Sequence, residues 1–136
     1  MSQKPIQGGW YTEILANFIR KSGNLIAAHF SKDSDRAYFR NSRINFEKKV
    51  KENSLYEKVR VVDLNSKLSD PSSVDAVLTF RNLHNWLGPN MEKIFSNSYV
   101  ALKPGGLFGI VENRAKAGTS MEDMKKSGYV TEQHAI

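Results

Sequence analysis

Two clusters in this chain have residue types and spacing that could do chemistry. The first is Gly8-Gly9-Trp10-Tyr11-Thr12-Glu13-Ile14-Leu15. A glycine pair running straight into a helical pattern lets backbone N–H groups come close to a ligand, because glycine has no Cβ and tolerates positive φ. The helix N-terminus behind it adds unpaired donors and a partial positive charge. The second cluster is Arg81-Asn82-Leu83-His84-Asn85-Trp86, directly after an apolar run over 74–80. Polar side chains at the carboxyl end of a central parallel strand are where open α/β sheets place their sites. Histidine exchanges its proton near neutral pH, so His84 is the candidate general base. The competing reading is a structural cap, with Trp86 packed in the core and His84 simply hydrogen-bonded. Glu112 and Arg114 follow the next apolar run, point to the same edge, and are expected to pair with each other. His134 sits in a polar tail, and no histidine–carboxylate grouping reads as a metal site.

The elements that must carry these clusters alternate in type. Helical spacing at Trp10, Ile14, Leu15, Phe18 and Ile19 predicts a first helix, with Arg20 and Lys21 in its last turn and Gly23 at its stop. Residues 24–30 read as a short strand. A basic helix is expected over 35–52, with Phe39, Phe46 and Val50 as its apolar stripe and its basic residues mostly on the wet face. Asp35 is a candidate N-cap there. Residues 58–64 and 74–80 are β-branched strands, and 89–102 is a helix with Met91, Ile94, Phe95 and Leu102 inward. Lys103-Pro104-Gly105-Gly106 is expected to turn the chain into a last strand over 107–112. The tail, 113–136, promises at most a weak helix at its end. Only residues 65–73 join the second and third strands, too few for a helical crossover. Apolar runs alternating with helices predict a parallel sheet flanked by helices.

Size and charge narrow the function classes. At 136 residues and 40% hydrophobic content the chain is one globular domain at most. Without cysteine it can have neither disulfides nor thiolate-bound metal. That fits a reducing compartment, and the expected location is the cytoplasm. No apolar run approaches the ~18 residues of a membrane span. The net charge of +6 keeps nucleic acid among the partners to consider. No RNA- or DNA-binding motif accompanies it, and a solvated helix face is the favoured account of the basic segment.

GGWYTEIL, LIAA, VLTFRNLHNW, LKPGG and VEN-R, taken together, resemble the class I S-adenosylmethionine-dependent methyltransferases. The resemblance is closest to a bacterial group of predicted methyltransferases reading near EIWPGGGWYTEILAPYL at the first motif, and it runs from Gly8 almost to the C-terminus. LKPGG is widespread in the class, whereas GGWYTEIL together with LTFRN-HNW is more specific. The resemblance implies a Rossmann-like sheet of order 3-2-1-4-5-7-6, of which this chain supplies strands 2 to 5. Strand 1, with its acid and first loop glycine, and the last strands would lie outside it. The chain therefore reads as one partial methyltransferase domain over 1–136, a fragment whose own activity is in question.

The same resemblance implies S-adenosyl-L-methionine as cofactor, with Gly8, Gly9, Trp10, Asp63, Arg81 and Asn82 around it. Asp63 resembles the residue that contacts the adenine amino group in relatives; an ordinary strand-end turn residue is the alternative. Where the class presents a carboxylate to the ribose hydroxyls, this chain has His29-Phe30-Ser31, and the nearest acids are Asp33 and Asp35. Asn85, Trp86 and Glu112 would border a small-molecule acceptor. Unpaired strand edges would favour self-association. The rival expectation is a noncatalytic basic α/β module that binds RNA or a protein partner.

Overall fold

The computed structural model describes residues 10–136. They fall into two compact units whose boundary in sequence lies between Leu68 and Ser69.

The N-terminal unit comprises α1 (Trp10–Ile19), β1 (Leu25–His29), α2 (Ala37–Glu52), a 3-10 turn at Ser54–Tyr56 and β2 (Val59–Asp63). β1 and β2 pair in parallel, from Leu25 opposite Val59 to His29 opposite Asp63. Helix α1 stops at Ile19, before Arg20 and Lys21, so no basic residue stands in its last turn as expected. The stop is made by the N–H groups of Ser22 and Gly23, which both donate to the Ile19 carbonyl. A Cβ on Gly23 would lie 3.1 Å from Ile19 Cβ, which is why the tight exit takes glycine. The expected apolar stripe of α1 is only partly covered. Leu15 and Ile19 are half-buried, Ile14 and Phe18 are exposed, and Ala16 is the buried residue. On α2, Phe46 is buried and Phe39 and Val50 are half-buried, as the spacing predicts. The N-cap of α2 is Arg36, with no side-chain bond to the helix, and not Asp35.

The C-terminal unit is built on β3 (Val74–Phe80) and β4 (Leu102–Val111), also parallel. Between them run a single helical turn α3 (Leu83–Trp86) and α4 (Pro89–Ala101). Proline at the first turn of α4 costs no hydrogen bond. The β3–β4 register steps from Val74 opposite Leu102 to Ala76 opposite Leu107. Lys103-Pro104-Gly105-Gly106 is therefore a bulge within β4, not the turn before it. Gly105 takes a φ of +78° there, and Lys103 Nζ reaches Asp75 Oδ1 at 2.8 Å across the gap. The core gathers Leu83, Trp86, Leu87, Ile94 and Met124.

The tail holds more structure than its composition promises. β5 (Asn113–Arg114) pairs in parallel with β6 (Tyr129–Val130), with α5 (Met121–Ser127) between them and α6 (Glu132–Ala135) after. Ser120 caps α5 by accepting the Asp123 N–H, and Gly128 closes it in the left-handed region.

The link over 64–73 has turns and bends but no helix. The pairings of β1 with β2 and of β3 with β4 are those that the order 3-2-1-4-5 gives to its strands 2, 3, 4 and 5. The architecture is α/β and Rossmann-like, with parallel strands flanked by helices. Among the described residues no helix is long and apolar enough to cross a membrane.

Candidate active site

In the C-terminal unit the chain leaves β3 through Arg81, whose φ of +54° is unusual for a residue with a side chain. Its N–H donates to the Val111 carbonyl at 2.7 Å, tying the carboxyl ends of β3 and β4 together. The turn sends Leu83 and Trp86 into the core and leaves Arg81, Asn82 and Asn85 exposed. Trp86 is thus a packing residue of this unit.

The same turn brings His84 to Glu112, just past the end of β4, with Nδ1 3.2 Å from Oε2. The Glu112 side chain is only 6% exposed and that of His84 22%. The other carboxylate oxygen, Oε1, accepts the Asn113 N–H at 3.0 Å. Against an ionised carboxylate, which can only accept, Nδ1 is the donor of this contact and Nε2 of a neutral ring keeps its lone pair. The ring edge that bears Nε2 faces Gly128: a Cβ built there would stand 3.6 Å from it. The expected pairing of Glu112 with Arg114 is not formed. Arg114 Nη2 meets Glu132 Oε1 at 3.1 Å instead, because the parallel β5–β6 ladder carries Arg114 toward α6.

In the N-terminal unit the carboxyl ends of β1 and β2 are held by Arg43 of α2. Its Nη1 donates to Asp63 Oδ1 at 2.7 Å and to the Phe30 carbonyl at 2.8 Å, while Nε donates to Glu47 Oε1 at 2.9 Å. Ser31 Oγ donates to Asp63 Oδ2 at 3.3 Å. Asp63 is therefore fixed through both oxygens.

His29, at the end of β1, accepts the Phe30 N–H on Nδ1 at 2.8 Å and stacks on Phe46 with centroids 4.9 Å apart. Burial pushes the His29 imidazole below its ordinary value. The Arg43 guanidinium adds to that shift and Glu47 opposes it. The strand end thus carries a half-buried imidazole, and Asp33 and Asp35 are exposed beyond it.

Arg43 is buried, not on the wet face expected for the basic residues of α2. Helical arithmetic places it four residues after Phe39 and three before Phe46, on the apolar stripe itself. Gly128 was also hidden from sequence reasoning, because nothing in a tail glycine announces a histidine 44 positions earlier.

Gly8 and Gly9 lie outside the described residues, and Trp10 is the first residue of α1. Among the described residues no group of three or more His, Asp or Glu side chains could hold a metal ion. No curated protein matches the chain. A family model described as a methyltransferase domain matches residues 8–110, which takes in α1, both principal parallel strand pairs and the His84 turn. That match covers well over half of the chain, and the chain belongs to the methyltransferase domain family.

Proposed function

We propose that the protein transfers a methyl group from S-adenosyl-L-methionine to a small-molecule acceptor, with His84 as general base. The observation that carries this reading is the contact of His84 Nδ1 with the nearly buried Glu112 carboxylate at the carboxyl ends of β3 and β4. When bound, S-adenosylmethionine supplies a methyl group that is already activated, so the protein's task is binding, orientation and proton removal. His84 Nε2 takes the proton that the acceptor loses, and Glu112 holds the ring in the tautomer that can do so.

Each unit carries donors or acceptors that suit an adenosyl ligand. Asp63 is held by Arg43 and Ser31, yet each carboxylate oxygen has a second lone pair to offer an adenine amino group. Asn82 presents an exposed amide and Arg81 an exposed guanidinium at the end of β3. Gly8, Gly9 and Trp10 complete the proposed cofactor set, and Asn85 and Glu112 the acceptor side. Trp86, in the core, would support that side from behind.

The test is transfer of a labelled methyl group to a panel of small phenols and amines by wild type and His84→Ala. Loss of a general base lowers turnover by roughly 10²–10⁴-fold with little change in cofactor affinity. A variant that loses cofactor affinity alone moves His84 to the binding wall, and unchanged turnover retires it as a base.

A second reading rests on charge. Residues 1–68 hold thirteen Lys and Arg against seven Asp and Glu, whereas residues 69–136 hold seven of each, so the whole excess lies in the N-terminal unit. A basic surface confined to one unit is what a noncatalytic RNA-binding module would present. Salt-dependent RNA binding without any methyl transfer would favour it.

The proposal also includes self-association. On the β3–β4 face turned away from Thr79 and Ile110, Leu78, Leu107 and Val111 are exposed, an apolar surface that a second copy would cover.

A further inference from the structure

Against the β4 strand lies an open cavity of about 500 Å³. Its floor is Phe108, Ile110 and Glu112, alternate residues that share one face as the period of a strand requires. Its cover is Val130, Thr131 and Ala135, from β6 and the α6 turn. The volume falls in the range of small-molecule sites, and the cleft is open to solvent on the side of Glu132 and Ile136. Glu112 belongs both to this floor and to the His84 pair.

A further observation describes what would fit. The lining contains two acids, Glu112 and Glu132, and no cationic side chain.

We infer that this cavity is the acceptor pocket, and that its occupant is an uncharged, largely apolar molecule bearing one hydroxyl, such as a substituted phenol. The inference rests on the transferase reading for the word acceptor, but not for the binding itself. Phe108, Ile110, Val130 and Ala135 take up the apolar body. The hydroxyl donates to the Glu112 carboxylate at the end of the floor. An anion is rejected, because its charge would enter a lining whose only charged groups are carboxylates.

The experiment titrates the full chain, without cofactor, with 4-ethylphenol and with its anionic counterpart 4-hydroxyphenylacetate, by calorimetry and by NMR shift mapping. Saturable binding of 4-ethylphenol, at least tenfold weaker binding of the anion, and shifts at Ile110 and Val130 are expected. Ala135→Phe fills the cavity from its cover and should weaken 4-ethylphenol at least tenfold. Ile110→Trp does the same from the floor, and a melting curve on each variant establishes that it is folded. Equal binding of the two probes, no binding of either, or binding that survives Ala135→Phe in a folded protein overturns the inference. Because no methyl donor is present, these results are independent of catalysis. A phenol seated in the cavity but never methylated would overturn the transferase reading while leaving the binding site in place.

Discussion

His84 Nδ1 and Glu112 Oε2 stand 3.2 Å apart although 28 residues separate them in the chain, and it is the β3–β4 ladder that closes the distance. Phe80 pairs with Val111 at the ladder's end, so the residues that follow each strand emerge side by side. The nearly buried carboxylate fixes the imidazole through Oε2, which makes Glu112 a positioning residue for His84. Glu112→Gln keeps the shape and removes the acceptor-only character that selects the tautomer. Turnover should fall by about tenfold to a hundredfold, a part of the 10²–10⁴ that a general base contributes, with the acceptor KM changed little. The ring nitrogen shifts of His84 in a ¹⁵N NMR spectrum should move away from the Nδ1–H form. Full turnover together with an unchanged tautomer would remove Glu112 from this role.

Arg43 makes a different kind of claim, about stability. One guanidinium serves the Asp63 carboxylate, the Phe30 carbonyl and Glu47 while almost wholly withdrawn from water. Arg43→Met keeps the stem and drops the donors, leaving Asp63 and Glu47 without their cation. Because both acids retain some access to solvent, the loss should sit below that of a fully buried pair, at about 2–3 kcal/mol. Urea unfolding followed by circular dichroism gives the number. A loss under about 0.5 kcal/mol, the range of an ordinary surface substitution, would mean that the clamp adds nothing beyond packing.

Where local signals are strong, the chain can be read directly. The β-branched runs gave β2 and β3 to within a residue, and Pro89 marked the first turn of α4. Lys103-Pro104-Gly105-Gly106 misled because proline and glycine punctuate bulges as well as turns, and only the register with β3 separates the two. The tail misled for another reason. Two-residue strands carry no alternation, and α5 is too short for periodicity to show, although Ser120 and Gly128 bracket it with ordinary caps. At the site, His84 stood out by type and position. Its partner depended on strand register, which sequence spacing alone does not supply. Arg43 was hidden by its charge, since a basic residue on a basic helix reads as solvated until its place on the Phe39–Phe46 stripe is counted.

The half-buried His29 makes stability depend on pH. Its folded-state pKa lies below the ordinary 6.5, so on acidification the unfolded chain takes up the proton first. Stability is therefore full above about 6.5 and declines as pH falls through that value toward the folded pKa. The charged groups around the ring are Arg43, which discourages protonation, and Glu47, which favours it. The melting temperature should fall between pH 7.5 and 5.5, before the carboxylates titrate appreciably. His29→Gln should flatten that slope whatever it does to the plateau. An equally steep decline in the variant would assign the effect to other groups.

The apolar side of the β3–β4 pair leads to the last prediction. Ala76, Leu78 and Phe80 alternate along β3, and Leu107, Gly109 and Val111 lie beside them on β4, so six neighbouring positions share one face. Leu107 is 63% exposed, Val111 51% and Leu78 45%. The face is smooth at its centre: Gly109 offers no side chain, and a Cβ there would meet Leu78 Cδ2 at 2.7 Å, so Leu78 already lies across it. A second copy laid on this face would remove three large side chains from water, each worth about 1.5–3 kcal/mol when fully buried. Size-exclusion chromatography with light scattering should find concentration-dependent dimers or larger species. Leu107→Lys, at an exposed position where a long charged side chain meets no packing, should raise the dissociation constant at least tenfold and leave the melt of the dissociated chain unchanged. A wild-type chain that stays monomeric at high concentration would show that this face needs no copy of itself. Association that ignores Leu107→Lys would place the contact elsewhere, on the exposed Ile14 and Phe18 of α1 or along the strand edges.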